Sequence, residues 1–505
     1  MSIAARQHPA RHGTLLREAP PWPFRLGIQP STLCIMAFAA SSALSALAGP
    51  AWLVPLAFPA LALATALYLY LVAPASYLAF TWWIWLLTPA VRRMVDLHLG
   101  WNSISPIMLA PYLVTAVAAA GLLRHLGELS NSHLIALAFT VAGVAYAYVI
   151  GIGSVGPTAA TFGVLTWILP ILFGFYLAAT WRRYALWRET LRATFAYGLI
   201  VLGAYGVLQF ALLPPWDAYW MTHAGMSSIG QPLPFKVRVF STLNAPGVFA
   251  AFVMAALLIG SAGRGSAKTA VAQPVVWLAF LLAQVRSAWL GYGLGLCLVM
   301  SRLPLNRGAR LVLLGGVLAL AVLPLLQLDA VEQVIATRFS SLAAGVADHS
   351  LQERMQLYAR FFNVAASNIP GGGIGSTNLA TKLSNNGALG SLGTIDSGIL
   401  ELLYAFGWPG TLLYGGGIAL ALLAAMGSWY RSTDKFALAA VSVALALLAQ
   451  MVFFNTLVGT VGMIFWTMTG MVLASQRVPT VVAMEGARRY TRLRPVRAAA
   501  GPLSA

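Results

Sequence analysis

Between Ser31 and Ser475 the chain alternates apolar runs with short polar breaks. Most runs approach the roughly 20 residues that an α-helix needs to cross about 30 Å of hydrocarbon. On that pattern we read spans at 31–48, 51–73, 76–90, 106–123, 133–151, 159–180, 193–213, 243–261, 271–284, 288–301, 311–327, 410–429, 436–455 and 457–475. The expected fold is all-α, a polytopic transmembrane helical bundle of about fourteen spans. The runs 76–90 and 271–284 are short, and the parity of everything downstream depends on them. Five regions follow: a basic cytoplasmic N-terminal tail over 1–30, a helical transmembrane region over 31–327, a large partly helical periplasmic loop over 328–397, C-terminal transmembrane helices over 398–476, and a basic cytoplasmic tail over 477–505.

Composition agrees with this pattern. Of the 505 residues, 59% are hydrophobic and 9% charged, against about a quarter charged in soluble domains. An ordinary soluble enzyme is excluded. The net charge of +18 would suggest nucleic acid in a soluble chain. Here the basic residues lie in short clusters between apolar runs, and most of them fall on the N-terminal side of the expected topology. That is the positive-inside pattern, so no nucleic-acid partner is expected. The tail carrying Arg488 to Arg497 reads the same way, as a topology determinant beside anionic lipid. Cys34 and Cys297 both sit in apolar runs, which leaves neither a disulfide framework nor a metal-ligand spacing.

Two outer segments, 212–242 and 328–397, exceed what a connection needs, and long loops in compact proteins usually serve a function or are disordered. In the second, Ser350-Leu351-Gln352-Glu353 is a capping box that opens a helix, and Pro370 bounds it. Leu351, Met355, Tyr358, Phe362 and Ala365 form one apolar stripe on that helix. Arg354 lies at the flank of the stripe. Arg360 lies opposite, as a solvated or headgroup charge.

Three features carry candidate chemistry. Arg286 sits at an outer turn with no acidic residue between Asp217 and Asp329. Such an arginine either snorkels to the interface or faces a cavity with a function. After Pro370 comes the turn Gly371-Gly372-Gly373-Ile374-Gly375, whose backbone can approach a phosphate, although no Gly-Lys-Ser/Thr follows. Asp396-Ser397 precedes Gly407 and Gly410, and Asp396 reads either as a helix cap or as a reactive carboxylate, roles that are compatible. Neither Asp-x-Asp nor His-Glu-x-x-His occurs, and no inner loop is long enough for a nucleotide-sugar domain. No metal or cofactor is expected.

From Arg238 to Gly410 the chain resembles the O-antigen ligase and Wzy-type polysaccharide polymerase family of bacterial inner membranes. Four segments in order carry the likeness: Arg238-Val239-Phe240-Ser241-Thr242-Leu243-Asn244-Ala245-Pro246-Gly247; Arg286-Ser287-Ala288-Trp289-Leu290-Gly291; Arg354 through Asn368-Ile369-Pro370 to Gly373-Ile374-Gly375; and Asp396-Ser397 with Gly407 and Gly410. The ligases of that family carry histidine where this chain has Asp396.

The resemblance implies a periplasm-facing enzyme that moves a glycan from an undecaprenyl-pyrophosphate carrier to an acceptor hydroxyl, without metal or nucleotide sugar. Guanidinium forks pair with a departing pyrophosphate. Arg286 and Arg354 take that role in this reading, and Asp396, at the family's base position, accepts the hydroxyl proton. Arg238, Arg360, His349, Gly373 and Gly375 are the substrate-binding candidates, with His349 also a substitute base. Glu353 is explained by its cap, and Glu401 reads as a polar contact one turn into the next helix. Replacement of the histidine favours a polymerase over a ligase that passes the glycan to lipid A core or to a protein serine or threonine. Expected partners are the lipid bilayer, the lipid-linked oligosaccharide, and a chain-length regulator or flippase of the same pathway. The rival class is a membrane transporter or flippase, which would place polar groups near the midplane within internal repeats. This chain gathers them at one rim.

Overall fold

The computed structural model describes residues 30–48, 53–261, 267–302, 358, 361–385, 397–431 and 434–478. Among the described residues the fold is all-helical, with a single isolated antiparallel bridge between Gly230 and Val237. In chain order the main helices are α1 (Pro30–Ala48), α2 (Val54–Val72), α3 (Pro74–Leu99), α4 (Ala110–Leu123), α5 (Asn131–Val155), α6 (Pro157–Ala179), α7 (Tyr184–Leu212), α8 (Pro215–His223), α9 (Pro246–Ser261), α10 (Ala267–Leu282), α11 (Arg286–Met300), α12 (Gly398–Arg431), α13 (Lys435–Ala449) and α14 (Gly459–Ser475).

Among the described residues, seven helices are long and apolar enough to cross a membrane: Val54–Val72, Pro106–Leu123, Asn131–Val155, Pro157–Ala179, Trp181–Leu212, Gly398–Gly427 and Lys435–Val452. Shorter apolar helices occupy Pro30–Ser42, Pro246–Ser261, Val271–Leu282 and Gly459–Ser475. Every expected span except one therefore falls on a helix, but not every one has full span length. The run 311–327 lies outside the described residues.

The short expected span 76–90 is part of a longer element. Pro74 sits in the first turn of α3, where its missing amide costs nothing, and Pro89 is accommodated inside. The helix then runs 26 residues to a left-handed Gly100 at φ 94°. Arg92 and Arg93, expected in an outer loop, are thus helical and buried. Arg92 is paired one turn on with Asp96 at 3.0 Å.

Small residues let the helices meet closely, as membrane interfaces favour. Gly470 of α14 faces the Gly174 backbone of α6, and Gly143 of α5 faces Gly410 and Tyr414 of α12. α12 is bent, with Gly407 at φ 60° and ψ −172° separating its first nine residues from the span proper.

The bundle has two chemically distinct ends. At one, Arg182 pairs with Glu128 at 2.7 Å and Arg188 with Asp434 at 3.4 Å, while Arg477 donates to the Glu128 carbonyl. The hydrogen bond from Arg182 holds the Glu128 carboxyl below its usual range. At the other end stand the termini of α3, α5, α7 and α10, the starts of α11 and α12, and a small cap around α8. The cap buries Leu213, Trp220, Met221, Ile229, Val237 and Phe240. All the described candidate residues lie at this second end.

Candidate functional site

The site is built on a polar knot that the sequence did not disclose. Arg93 is fully buried, and its guanidinium reaches Asp217 Oδ1 at 2.7 Å. It also donates to the carbonyls of Ser241 and Leu243, each at 2.6 Å, and to Asn244 Oδ1 at 3.2 Å. The other Asp217 oxygen accepts from Gln209 Nε2 at 2.7 Å and from the Tyr205 hydroxyl at 2.9 Å. Gln209 Oε1 in turn accepts from the amides of Phe240 and Ser241 at 3.0 and 2.8 Å. Arg93 Nε and Asp217 Oδ1 meet as an ion pair, and the other guanidinium, carboxylate and amide atoms named here are hydrogen-bonded, which is what makes a buried ion pair tolerable. Its effect is to fix the segment 239–244, a turn with Ser241 at a left-handed φ of 55°, between α3, α7 and α8.

Arg238, the residue just before that fixed segment, crosses to the α10–α11 turn. Its Nη2 donates to Gln284 O at 3.1 Å and Ala283 O at 3.4 Å, and its Nη1 to Ser228 O at 2.8 Å. Carbonyls just past a helix C-terminus lack partners and carry its negative dipole end, so a guanidinium fork suits them. Gln284 adopts a left-handed φ of 56°. Two residues later Arg286, half-buried, opens α11. The structure thus brings Arg238 and Arg286 to one turn.

The turn Gln450–Val452 lies between α11 and α12. Gln450 Nε2 donates to Ala446 O at 3.2 Å and abuts Gly291 of α11. On its other side Gly398, the first residue of α12, packs on Asn455, Met451 and Phe454. Ser397 caps that helix: its Oγ accepts from Leu400 N at 3.2 Å and contacts the Tyr358 hydroxyl at 2.6 Å. Tyr358 also donates to Val452 O at 2.6 Å. The capping role that the sequence left open to Asp396 is therefore filled by Ser397. Asp396 itself, with Arg354, Arg360 and His349, lies outside the described residues.

Glu401, one turn into α12, is the polar contact expected of it. It is buried and accepts from Thr377 Oγ1 at 3.2 Å and from Asn378 Nδ2.

The glycine turn calls for a correction. We expected Gly373 and Gly375 to present backbone to a phosphate. The amides of Gly372, Gly373 and Ile374 instead donate to the carbonyls of Tyr404, Ala405 and Ala147 at 2.7, 3.0 and 2.9 Å. Side chains would not fit either. A Cβ on Gly373 would strike the Gly151 backbone, one on Gly375 the Ala159 backbone at 2.8 Å, and one on Gly371 the Gly407 amide. With φ of 85°, 81° and 99° at Gly371, Gly373 and Gly375, the turn is a joint that locks the outer segment onto α5, α6 and the α12 bend. Binding a phosphate at the Gly373 amide would first require breaking its bond to Ala405 O.

Of the expected apolar stripe, Leu351 and Met355 lie outside the described residues. Residues 361–367 are helical, with Ala365 buried and Phe362 exposed.

Residues 274–415 match the family described as O-Antigen ligase. The match begins in α10, passes through Arg286, the glycine joint and the start of α12, and ends beyond Gly410. It agrees with the resemblance to the O-antigen ligase and Wzy-type family, while Arg238 and the knot precede it. No curated protein matches the chain.

Proposed function

We propose that this membrane protein, whose segment 274–415 carries the O-antigen ligase match, is a polysaccharide polymerase working on lipid-linked substrates. It transfers a glycan from an undecaprenyl-pyrophosphate carrier to a hydroxyl of a lipid-linked repeat unit. The observation that carries this reading is the convergence at one end of the bundle. Arg238 grips the turn that delivers Arg286, and α11 and the capped start of α12 flank the same short turn, Gln450–Val452.

In this mechanism the acceptor oxygen attacks the anomeric carbon as the bond from that carbon to the pyrophosphate oxygen breaks. Negative charge grows on the leaving diphosphate. Arg286 and Arg354 meet it with charge-assisted hydrogen bonds, strongest where charge develops in the transition state. Arg238, already engaged with three carbonyls, holds Arg286 in place and adds positive potential. Asp396 takes the hydroxyl proton. Ser397 supports this assignment, because with the cap supplied by its hydroxyl the preceding carboxylate is not required there. The end rich in Arg182, Arg188 and Arg477 is the cytoplasmic one by the positive-inside rule, so the site faces the periplasm of the inner membrane.

The experiment is to give purified protein a lipid-linked repeat unit and separate the lipid-linked products by size. A ladder formed with no other acceptor supports polymerisation. Transfer that appears only when lipid A core or a protein acceptor is added makes the enzyme a ligase of the same family instead. Arg286→Ala should reduce product at least about 100-fold, the scale of losing one transition-state donor. A fully active Arg286→Ala variant removes the phosphate clamp from the mechanism.

A further inference from the structure

A second cationic feature lies at the same end of the bundle, on the far side of the Arg93 knot from Arg286. Trp101, just past α3, is half-buried and bears two cations: Arg92 Cζ lies 5.1 Å and Lys382 Nζ 5.9 Å from its ring centroid. His223 stacks on the same ring at 5.7 Å and 27°. Arg92 is held by Asp96 at 3.0 Å and by Asn102 O at 2.6 Å. Lys382, by contrast, makes no ion pair among the described residues. Burial, and then the positive charge of Arg92, push its ammonium below the usual lysine range. The single turn Thr381–Ser384 that carries it is tied back through Thr381 Oγ1 to Asn378 O at 2.7 Å, and Asn378 donates to Glu401. The lysine is therefore placed by the same segment that forms the glycine joint.

Along the same helix that carries Arg92, a cavity of about 700 Å³ opens between α1, α2 and α3, lined by Phe38, Phe58, Trp83, Val91, Met94 and Ile107 among others. That is within the range of ligand pockets, roughly 300–1,000 Å³. Val91, Met94 and Val95 of the cavity wall flank Arg92 along α3, and Ile107 follows Trp101 by a few residues. An apolar cavity with two cations on the adjoining turns, only one of them in an ion pair among the described residues, suits a hydrocarbon chain with a phosphate head.

We propose that Arg92, Lys382 and Trp101, with the cavity between α1, α2 and α3, form a second lipid-phosphate site that seats the acceptor carrier while the donor diphosphate sits at Arg286. This rests on the polymerase reading, in which both substrates are lipid-linked and must be held at once. Lys382, which makes no ion pair among the described residues, supplies the charge. Arg92 and the indole wall orient the phosphate, and the cavity takes the polyprenyl tail. Arg93, next to Arg92 on α3, anchors the segment that follows Arg238, so the two sites are separate but rigidly connected.

The test uses the full chain in phosphatidylcholine nanodiscs and polyprenyl phosphate bearing a diazirine in its tail. Photolabelling should fall on peptides of α1, α2 and α3. Excess unlabelled polyprenyl phosphate should compete, and phosphatidylglycerol or inorganic phosphate should not. Lys382→Gln and the cavity-filling Ala79→Phe should each reduce labelling about tenfold, about 1.4 kcal/mol, whereas Arg286→Ala should leave it intact. Labelling that is unchanged in both Lys382→Gln and Ala79→Phe, or equally displaced by phosphatidylglycerol, overturns the site. A second readout is transfer from a donor with its own acceptor hydroxyl blocked to a short lipid-linked acceptor. In Lys382→Gln the acceptor KM should rise about tenfold with kcat retained, and a fall in kcat alone counts against the proposal. If the wild type transfers nothing yet labels as described, the polymerase reading fails and the lipid-phosphate site stands.

Discussion

The fully buried pair Arg93–Asp217 joins α3 to α8, and through the Ser241 and Leu243 carbonyls it joins both to the segment before α9. Removing one member strands the other charge away from water. Asp217→Ala should therefore destabilise the protein by about 3–5 kcal/mol, read as a lower midpoint of thermal unfolding in detergent. Replacing both residues with apolar ones of similar size should cost less than either single change. A near-silent Asp217→Ala would mean that the knot does not hold this end together. Ser397→Ala should cost about 0.5–2 kcal/mol through the lost cap with catalysis weakened only modestly. Asp396→Asn should leave stability unchanged and abolish transfer. Were the two variants to exchange these phenotypes, the carboxylate would be the structural group and the hydroxyl the reactive one.

Among the elements, the bend in α12 and the glycine joint depend on each other. Gly407 at φ 60° allows Ile369 O to accept from Trp408 N at 3.0 Å, and Gly371 passes against Gly407 with no room for a side chain. Gly407→Ala should cost about 1–3 kcal/mol of backbone strain, before any clash with Ile369 and Pro370 is counted. Limited proteolysis should then cut between 361 and 385 in the variant and spare the parent. The sequence pattern found nearly every helix, because apolar run length is fixed by bilayer thickness and is visible without tertiary information. It missed the last turns of α3: Arg92, Arg93 and Asp96 look like loop residues until partners such as Asp217, more than a hundred positions away, are known to neutralise them. The glycines were visible too. Their purpose was not, since a run of glycines reads alike whether ligand or neighbouring backbone comes close.

For the molecule as a whole, the functional reading separates two faces, one where Arg182, Arg188 and Arg477 engage acidic residues or carbonyls and one where Arg238, Arg286 and Lys382 gather. In a variant lacking Cys34 and Cys297, a cysteine introduced at Gln231 should react with an impermeant maleimide from outside spheroplasts. One introduced at Glu189 should react only after lysis. The opposite result would put the candidate site on the cytoplasmic side and end the periplasmic assignment. That Arg238 and Arg286 stand at one end of the bundle was legible from their order among the spans. That Arg238 acts on backbone was not, because carbonyl acceptors leave no trace in side-chain identity.

The grip of Arg238 on Ala283 and Gln284 is on their carbonyl oxygens, which any residue at those positions would present. The geometry of the arginine that follows is to that extent insulated from drift at its neighbours. In a saturation library, the buried position 283 should accept other small side chains that fit its packing. Position 238 should reject even lysine, whose point charge cannot straddle the oxygens of 228, 283 and 284 together.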